Sequence, residues 1–554
     1  MTSNRNHLLW VFGLLTALAA GPAGAQDRSQ ASIELQERVE QYLFTGELCC
    51  GGEDIASREL LPEIYVSRDF LPMWSAARLD ELLAIIAAAP ADGLNSEDYH
   101  YAALQEMLAL QRADPIPRRR ADLDILATDA LIRFGYHQRF GKVNPVDLDP
   151  NVNFRREAWP DGNPGAAVIN AAVSATPLAE IVAGFFPRPD YYEDLRSHLA
   201  EYRLIAEAGG WPAVTPGPAL RQGDTDVRVA EIRRRLAVTN DLAPDTPLLS
   251  PEFDEAVAAG VSRFQARHRL EPDGIAGANS FEAMNVPVQA RIDQLRMSLE
   301  RLRWIDQELT DDFVAVNIAD FRAFLVRKGE ITWFARAQVG KPYRMTPIFR
   351  GDISYLEMNP TWTIPPGILR NDVLPRIKQD PNYLLERNIS VIDRDGAKVD
   401  PLTVDWSVYS KGVPYTLRQE PGPNNALGRI KFIFPNEHFV FLHDTPSRGL
   451  FDRAERAFSS GCIRVDKPLE LAELLLGDPD KWSMEKLQAV LDSRKTQRVN
   501  LRPKEPVLIL YLTASLDLDG SIRFAKDIYS RDDDLLAALN GPVKLEAPAV
   551  AAQQ

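Results

Sequence analysis

The 554-residue sequence predicts a multidomain α+β protein, helical through its N-terminal part and β-rich with attached helices through its C-terminal part. Three observations carry this. Apolar residues recur at helical spacing over about 31–207. A proline-bearing break at 209–218, with Pro212, Pro216 and Pro218, separates that region from a second, smaller helical unit. From about Asp312 onward, short β-branched and aromatic runs take over.

Taken in order, the chain opens with Arg5 and His7 ahead of an apolar run over 8–20, followed by the small residues Ala23-Gly24-Ala25. This is the plan of a secretory signal over 1–25. The run is shorter than the ~20 residues a bilayer span needs; a retained N-terminal anchor is the alternative. No cysteine stands at the cleavage site to take a lipid, and nothing downstream reads as a transmembrane helix. A mainly helical domain is expected over 26–215. Within it, 76–89 is rich in Ala and Leu, and Leu123, Leu126, Ala130, Phe134 and His137 keep helical spacing. Ala91-Asp92-Gly93 and Asn144-Pro145 break the helices.

Over 219–287, Val227, Ile232 and Leu236 define one helix and Val257, Val261 and Phe264 another. Pro272-Asp273-Gly274 and Gly277 then mark turns, as in a small three-helix module. Ile292, Leu295, Leu299 and Leu302 form an apolar stripe, so 288–310 is expected to be a connecting helix. The runs 313–318, 324–326, 331–339, 432–434, 439–442 and 507–512 make 311–530 the β-rich domain. It is interrupted over about 365–423 by a proline-rich insertion of little periodicity, a length typical of functional lids or flexible loops. Residues 531–554 read as a C-terminal tail. There is no internal repeat of 20–50 residues.

Composition narrows the class. The chain is 45% hydrophobic and 25% charged, an ordinary globular balance, and its length suggests about three or four domains. A formal charge of −15 argues against nucleic acid as a partner, because phosphate binding needs a basic surface. Three cysteines make no disulfide framework. The adjacent Cys49 and Cys50 are open to three fates: a mutual bond, a bond to another chain, or burial as thiols. His268 lies beside the apolar face of the three-helix module and reads as structural. No Cys-x-x-Cys or His-Glu-x-x-His spacing exists, so no metal or cofactor is expected. Gly340-Lys341 lacks the upstream glycine of a phosphate loop, which leaves Lys341 as a strand-end residue.

The chemistry-bearing segment runs from His443-Asp444-Thr445-Pro446 to Phe458-Ser459-Ser460-Gly461-Cys462-Ile463-Arg464-Val465. Acyl transfer from a thiol needs a neighbouring base held in one tautomer, and backbone N–H groups facing the oxyanion. His443 closes the apolar run 439–442, where a strand-end side chain faces a cleft. Ser460-Gly461 lets the backbone turn sharply before Cys462. In an extended segment Arg464 lies on the same side as Cys462, where it is suited to hold a substrate carboxylate. A lone cysteine or a lone histidine is usually a core residue; the two together, in an exported chain, are not read that way.

His443 and Ser460-Gly461-Cys462-Ile463-Arg464 resemble the signature of the L,D-transpeptidase (YkuD-type) catalytic domain. Pro421-Gly422-Pro423-Asn424-Asn425-Ala426-Leu427-Gly428, Lys431-Phe432 and Phe434-Pro435-Asn436 are similar to its large YcbB-like branch. So are Val339-Gly340-Lys341, Thr346-Pro347 and Asn359-Pro360-Thr361-Trp362. Arg68-Asp69-Phe70-Leu71-Pro72-Met73-Trp74 and Asp92-Gly93-Leu94 resemble that branch's scaffold domain. Residues 219–287 look like its peptidoglycan-binding module, through Phe264-Gln265, Leu270, Asp273-Gly274 and Gly277.

The resemblance implies a periplasmic enzyme of cell-wall biogenesis. Cys462 is then the nucleophile, His443 the proton acceptor and donor, and the N–H groups of Gly461 and Cys462 the oxyanion hole. The main-chain carbonyl of Asp444 orients His443. Arg464, Ser460, Asn424 and Trp362 are candidates for shaping or binding the substrate, with Trp362 and 365–423 as lid elements. The donor is a peptidoglycan stem tetrapeptide and the acceptor a diaminopimelate amine, giving a 3–3 cross-link; cell-wall synthases are candidate partners. An L,D-carboxypeptidase or cross-link hydrolase would use the same Cys-His site, with water as the acceptor. A non-catalytic wall-binding scaffold is the remaining alternative, and it would be marked by a broken motif at His443 or Cys462.

Overall fold

A computed structural model describes residues 29–45, 49–58, 60–154, 156, 165–174, 177–185, 189–305, 309–410 and 412–544. The expected signal segment lies outside them. The first domain is helical: α1 (Gln30–Thr45), α2 (Leu60–Ser67), α3 (Ala76–Ala87), α4 (Tyr101–Ala113) and α5 (Pro117–Phe140). One-sided spacing understated α5, which is buried on nearly every side. It is the axis of the domain, and Leu35, Ile64, Trp74, Leu82, Leu108 and Leu126 belong to the core around it. Its two buried carboxylates, Asp124 and Asp129, are both hydrogen-bonded. Asp124 accepts from the amides of Met73 (2.9 Å) and Trp74 (3.1 Å) and from the Tyr65 hydroxyl (3.0 Å). A buried carboxylate is tolerable only when satisfied in this way. Cys50 is buried in this core.

Helix α6 (Asp190–Glu207) turns away from that core. Tyr192, Leu195, Leu199 and Tyr202 pack against α10 (Val288–Ile305) and against Ala514, Leu516, Ile522 and Phe524. The 209–218 segment, expected as a plain linker, is docked rather than loose. Val214 is buried in the small module, and its N–H and C=O both pair with the Asn285 side-chain amide at 2.8 Å. The module itself is α7 (Arg228–Val238), α8 (Glu255–Arg267) and α9 (Ala278–Met284). Ile232 and Leu236 face its core as the apolar spacing predicts, but Val227 precedes α7 and is exposed, and Val229 takes the core position. His268 is buried there, with Nδ1 on the Phe264 carbonyl (2.8 Å) and its ring stacked on Phe264. This is a structural role.

The β-rich half begins with β1 (Phe313–Asn317), β2 (Arg322–Arg327), β3 (Glu330–Gly340) and β4 (Phe349–Met358). The insertion follows, and it is neither structureless nor a simple loop. It contains β5 (Trp362–Thr363), α11 (Leu374–Gln379), β6 (Ile389–Ile392), β7 (Lys398–Val399) and β8 (Thr416–Gln419). These strands form their own sheet in the order β5-β8-β6-β7. Ile364, Leu374, Ile377, Leu384, Val391 and Leu417 give it a separate core. Short strands joined by turns bury a core without a periodic stretch long enough to register in the sequence.

The main chain resumes with β9 (Ile430–Ile433), β10 (Leu442–His443), β11 (Ala457–Ser459), β12 (Ile463–Val465), α12 (Pro468–Leu476), α13 (Met484–Asp492), β13 (Gln497–Leu510) and α14 (Asp532–Asn540). The large sheet runs β11-β3-β12-β10-β9-β4-β13-β1-β2, and β3 also pairs with β2, so it closes on itself. Helix α14 corrects the expected tail. Leu535 and Leu539 are buried in the core of the β-rich domain, Asp532 meets Arg301 at 2.7 Å, and Lys142 Nζ donates to the carbonyls of Leu539 and Gly541 at 2.8 Å. A helix this short needed tertiary partners to declare itself.

Candidate active site

Strands β9, β10 and β12 alternate between two faces. Phe432, Leu442 and Ile463 point into the core. The opposite face carries a line of polar residues across six strands. From β13 to β3, Arg498, Glu357, Lys431, His443, Arg464 and Gln338 are successive Cα partners. His443 is the Cα partner of Arg464 across parallel strands β10 and β12, and Cys462 stands two residues before Arg464, at the entry to β12.

His443 is buried, and its Nδ1 lies 2.5 Å from the Asp444 carbonyl oxygen. That acceptor fixes the proton on Nδ1 and leaves Nε2 as the basic nitrogen. Burial, reinforced by the Arg464 guanidinium, pushes the imidazole down to about 3, against the pull of the Asp444 and Leu427 backbone groups. The ring is neutral at ordinary pH. The Asp444 carbonyl is in turn held by its own residue. The Asp444 N–H donates to Ile430 (2.8 Å), its Oδ2 accepts from the Arg429 amide (2.8 Å) and its Oδ1 meets Arg448 (2.9 Å). Gly428, in the left-handed region at φ +65°, leaves room for it; a Cβ there would overlap Asp444.

The Cys462 thiol is half-buried and turned toward the Phe439 carbonyl at 3.7 Å. Phe439 itself stands 83% exposed at the lip of the site. The side-chain amide of Asn436 braces this hairpin, donating to the carbonyls of Phe434 (2.6 Å) and Val440 (2.7 Å). Burial pushes the thiol up, while the Phe441 backbone, Lys431 and Arg464 draw it back.

The expectation for Gly461 needs correction. Its N–H is not offered to an oxyanion, because it donates to Ser459 Oγ (3.1 Å), whose hydroxyl in turn donates to the Cys462 carbonyl (2.5 Å). What the turn takes from Gly461 is its backbone, at φ +117°. Among the described residues the Cys462 N–H meets no acceptor, which leaves it as the available donor.

The turn is pinned from behind by residues whose sequence context gave little sign of the role. Thr346 Oγ1 donates to the Gly461 carbonyl (2.8 Å) and accepts from the Gly340 N–H (2.9 Å). The Tyr529 hydroxyl donates to the Gly340 carbonyl (2.6 Å) and accepts from the Thr346 N–H (3.2 Å). Ser460 Oγ accepts from Arg344 (2.8 Å), and the same guanidinium meets Asp372 of the insertion at 2.7 Å. Arg464 donates to Gln338 Oε1 (3.2 Å).

Two expected residues are not brought to this cluster. Trp362 packs against the insertion core, paired across strands with Gln419. Asn424 is exposed at a cleft lined by Asn388, Gln419 and Arg494, and the organising amide there is its neighbour. The Asn425 side chain donates to the carbonyls of Pro360 (3.1 Å) and Glu420 (3.0 Å) and accepts from the Leu427 N–H (2.8 Å). Two adjacent asparagines cannot be ranked without knowing which one is buried.

Three family descriptions match the chain. Residues 311–509 match the L,D-transpeptidase catalytic domain, 59–199 a scaffold domain, and 225–284 a "Putative peptidoglycan binding domain". A Haemophilus influenzae protein named "Putative L,D-transpeptidase" is 39% identical over 248 residues, taking in 45% of this chain. The match spans half the length of that relative (50%). The crystal structure of the L,D-transpeptidase from Xylanimonas cellulosilytica matches at 12% identity, covering 53% of this chain and 98% of that one. Its TM-score of 0.18 is too low to argue from.

Proposed function

Since the chain carries an L,D-transpeptidase catalytic domain beside a scaffold and a peptidoglycan-binding domain, we propose that it cross-links peptidoglycan outside the cytoplasm through an acyl-enzyme on Cys462. The observation that carries this reading is the juxtaposition of a half-buried thiol at the entry to β12 and, at the end of the parallel strand β10, a buried imidazole anchored through Nδ1.

In the first half-reaction His443 Nε2 takes the thiol proton, and the thiolate attacks the carbonyl joining the L-centre of diaminopimelate to the terminal D-Ala. The Cys462 N–H faces the oxyanion that forms. As the tetrahedral intermediate collapses, His443 returns its proton to the departing D-Ala amine, leaving a thioester. In the second, the side-chain amine of another diaminopimelate attacks the thioester, His443 takes the proton from that amine, and Cys462 leaves. The product is a 3–3 cross-linked dimer. Arg464 and Ser460 hold the loop that carries the thiol, and the insertion, tied to that loop by Arg344 and Asp372, acts as a lid.

Mass spectrometry of products from a purified tetrapeptide muropeptide tests this. Dimer with stoichiometric D-Ala is expected, and none from C462A. Tripeptide alone would replace the transpeptidase with a carboxypeptidase, and turnover undiminished in C462A would end the reading altogether.

A further inference from the structure

The polar line across the sheet contains a lysine that the mechanism above does not use. Lys431 is the direct cross-strand partner of His443, in line with Arg464, two residues beyond Cys462. Its Nζ lies 3.7 Å from the centroid of Phe441, the residue before β10, whose carbonyl accepts from the Ile463 N–H next to Cys462 (3.1 Å) and whose ring is 5.7 Å from that of His443. An ammonium on an aromatic face is held in place without being neutralised.

The other cations near the thiol are committed elsewhere. Arg464 donates to Gln338, and Arg344 is shared between Asp372 and Ser460. Lys431 has no carboxylate within 4.0 Å among the described residues, and its neighbour in line, Glu357, lies on the side away from Cys462. A half-buried amine without an ion pair is costly unless a charge arrives beside it. The charge that arrives in the catalytic cycle is the thiolate.

We propose that Lys431 is a positioning residue for the nucleophile: its ammonium, steered by the face of Phe441, stabilises the Cys462 thiolate when His443 removes the proton. Lys431 keeps its own protons, and no bond forms or breaks at its amine. In keeping with this, burial lowers the Lys431 pKa while Glu357 and Cys462 raise it, and Lys431 lowers that of the thiol. The charged and titratable groups around the thiol are Lys431 from β9, His443 from β10, Arg464 from its own strand and Arg344 through Ser460. Glu357 of β4 stands behind the lysine.

The inference rests on Cys462 being the nucleophile, and its test reads thiol acidity without needing a cell-wall substrate. In the full chain, the rate of iodoacetamide alkylation is followed against pH, with the Cys462 peptide quantified by mass spectrometry. K431M and K431Q are expected to raise the midpoint by about one pH unit, which is roughly tenfold less thiolate below it. K431R is expected to keep the wild-type midpoint. Wild-type midpoints in both K431M and K431Q, or a K431R that shifts as far as they do, would overturn the proposal. If the midpoints shift as expected and no peptidoglycan product forms, the reaction proposed above fails and this inference stands.

Discussion

Replacing Thr346 by valine removes one hydroxyl and almost no volume, yet that hydroxyl bridges the two backbone segments that meet behind Cys462. Thr346 is fully buried, with the Gly340 amide at 2.9 Å and the Gly461 carbonyl at 2.8 Å. Valine strands both groups away from water. An unpaired buried backbone group costs about 1–3 kcal/mol, so the pair amounts to roughly 2–6 kcal/mol before relaxation. Tyr529 still holds the Gly340 carbonyl, which keeps the strand end in place and concentrates the effect on the Gly461 turn. In hydrogen exchange read by mass spectrometry, the Gly340 amide is expected to lose protection by roughly 30-fold or more, since each factor of ten is 1.36 kcal/mol. Carbapenem acylation of Cys462 should slow by about 10- to 100-fold, the scale of a displaced reacting group. T346S, which keeps the hydroxyl, should stay near wild type. Unchanged exchange and unchanged acylation in T346V would refute the reasoning.

Three further outcomes follow from the same geometry. The His443 imidazole is depressed to about 3 from an ordinary 6.5, so the unfolded chain binds a proton that the folded chain refuses throughout that interval. Stability therefore falls as pH drops from 6.5 toward 3, by about 3 kcal/mol at pH 4, and H443Q should remove that part of the slope in pH-dependent urea unfolding; parallel slopes would contradict it. G428A puts a Cβ into Asp444 at a left-handed backbone, displacing the carbonyl that holds Nδ1. Acylation should fall at least about tenfold, whereas G412A, with open space around it, should match wild type in the same assay. R344M frees Ser460 and Asp372 together, so hydrogen exchange over 369–379 should rise while acylation slows; a change in neither would separate the insertion from the catalytic turn.

The helical and β-rich halves were legible in the sequence because both depend on local periodicity, and the three-helix module was legible through its apolar spacing and its Pro-Asp-Gly turn. His443 and Cys462 stood out because the residues between Ser459 and Arg464 combine a turn with a thiol. The Asp444 carbonyl lies against His443 Nδ1. What stayed hidden is set by distance along the chain. Tyr529 and Thr346 reach the catalytic turn across strands, α14 depends on Lys142 and Arg301 from other domains, and the insertion core is assembled from two- and four-residue strands. Gly461 was misread for a different reason. Its conformation was predictable, but the acceptor of its amide, Ser459 Oγ, is a rotamer choice that residue type does not encode.

The most direct test of the account is to catch the acyl group on its residue. Full-length protein is mixed with a disaccharide-tetrapeptide donor without acceptor, quenched in acid, and read by intact and peptide mass spectrometry. The account predicts a mass increase equal to the donor less D-Ala, confined to the peptide carrying Cys462, and absent from C462A and H443Q. An adduct on another residue, or D-Ala released with undiminished rate from C462A, would contradict it.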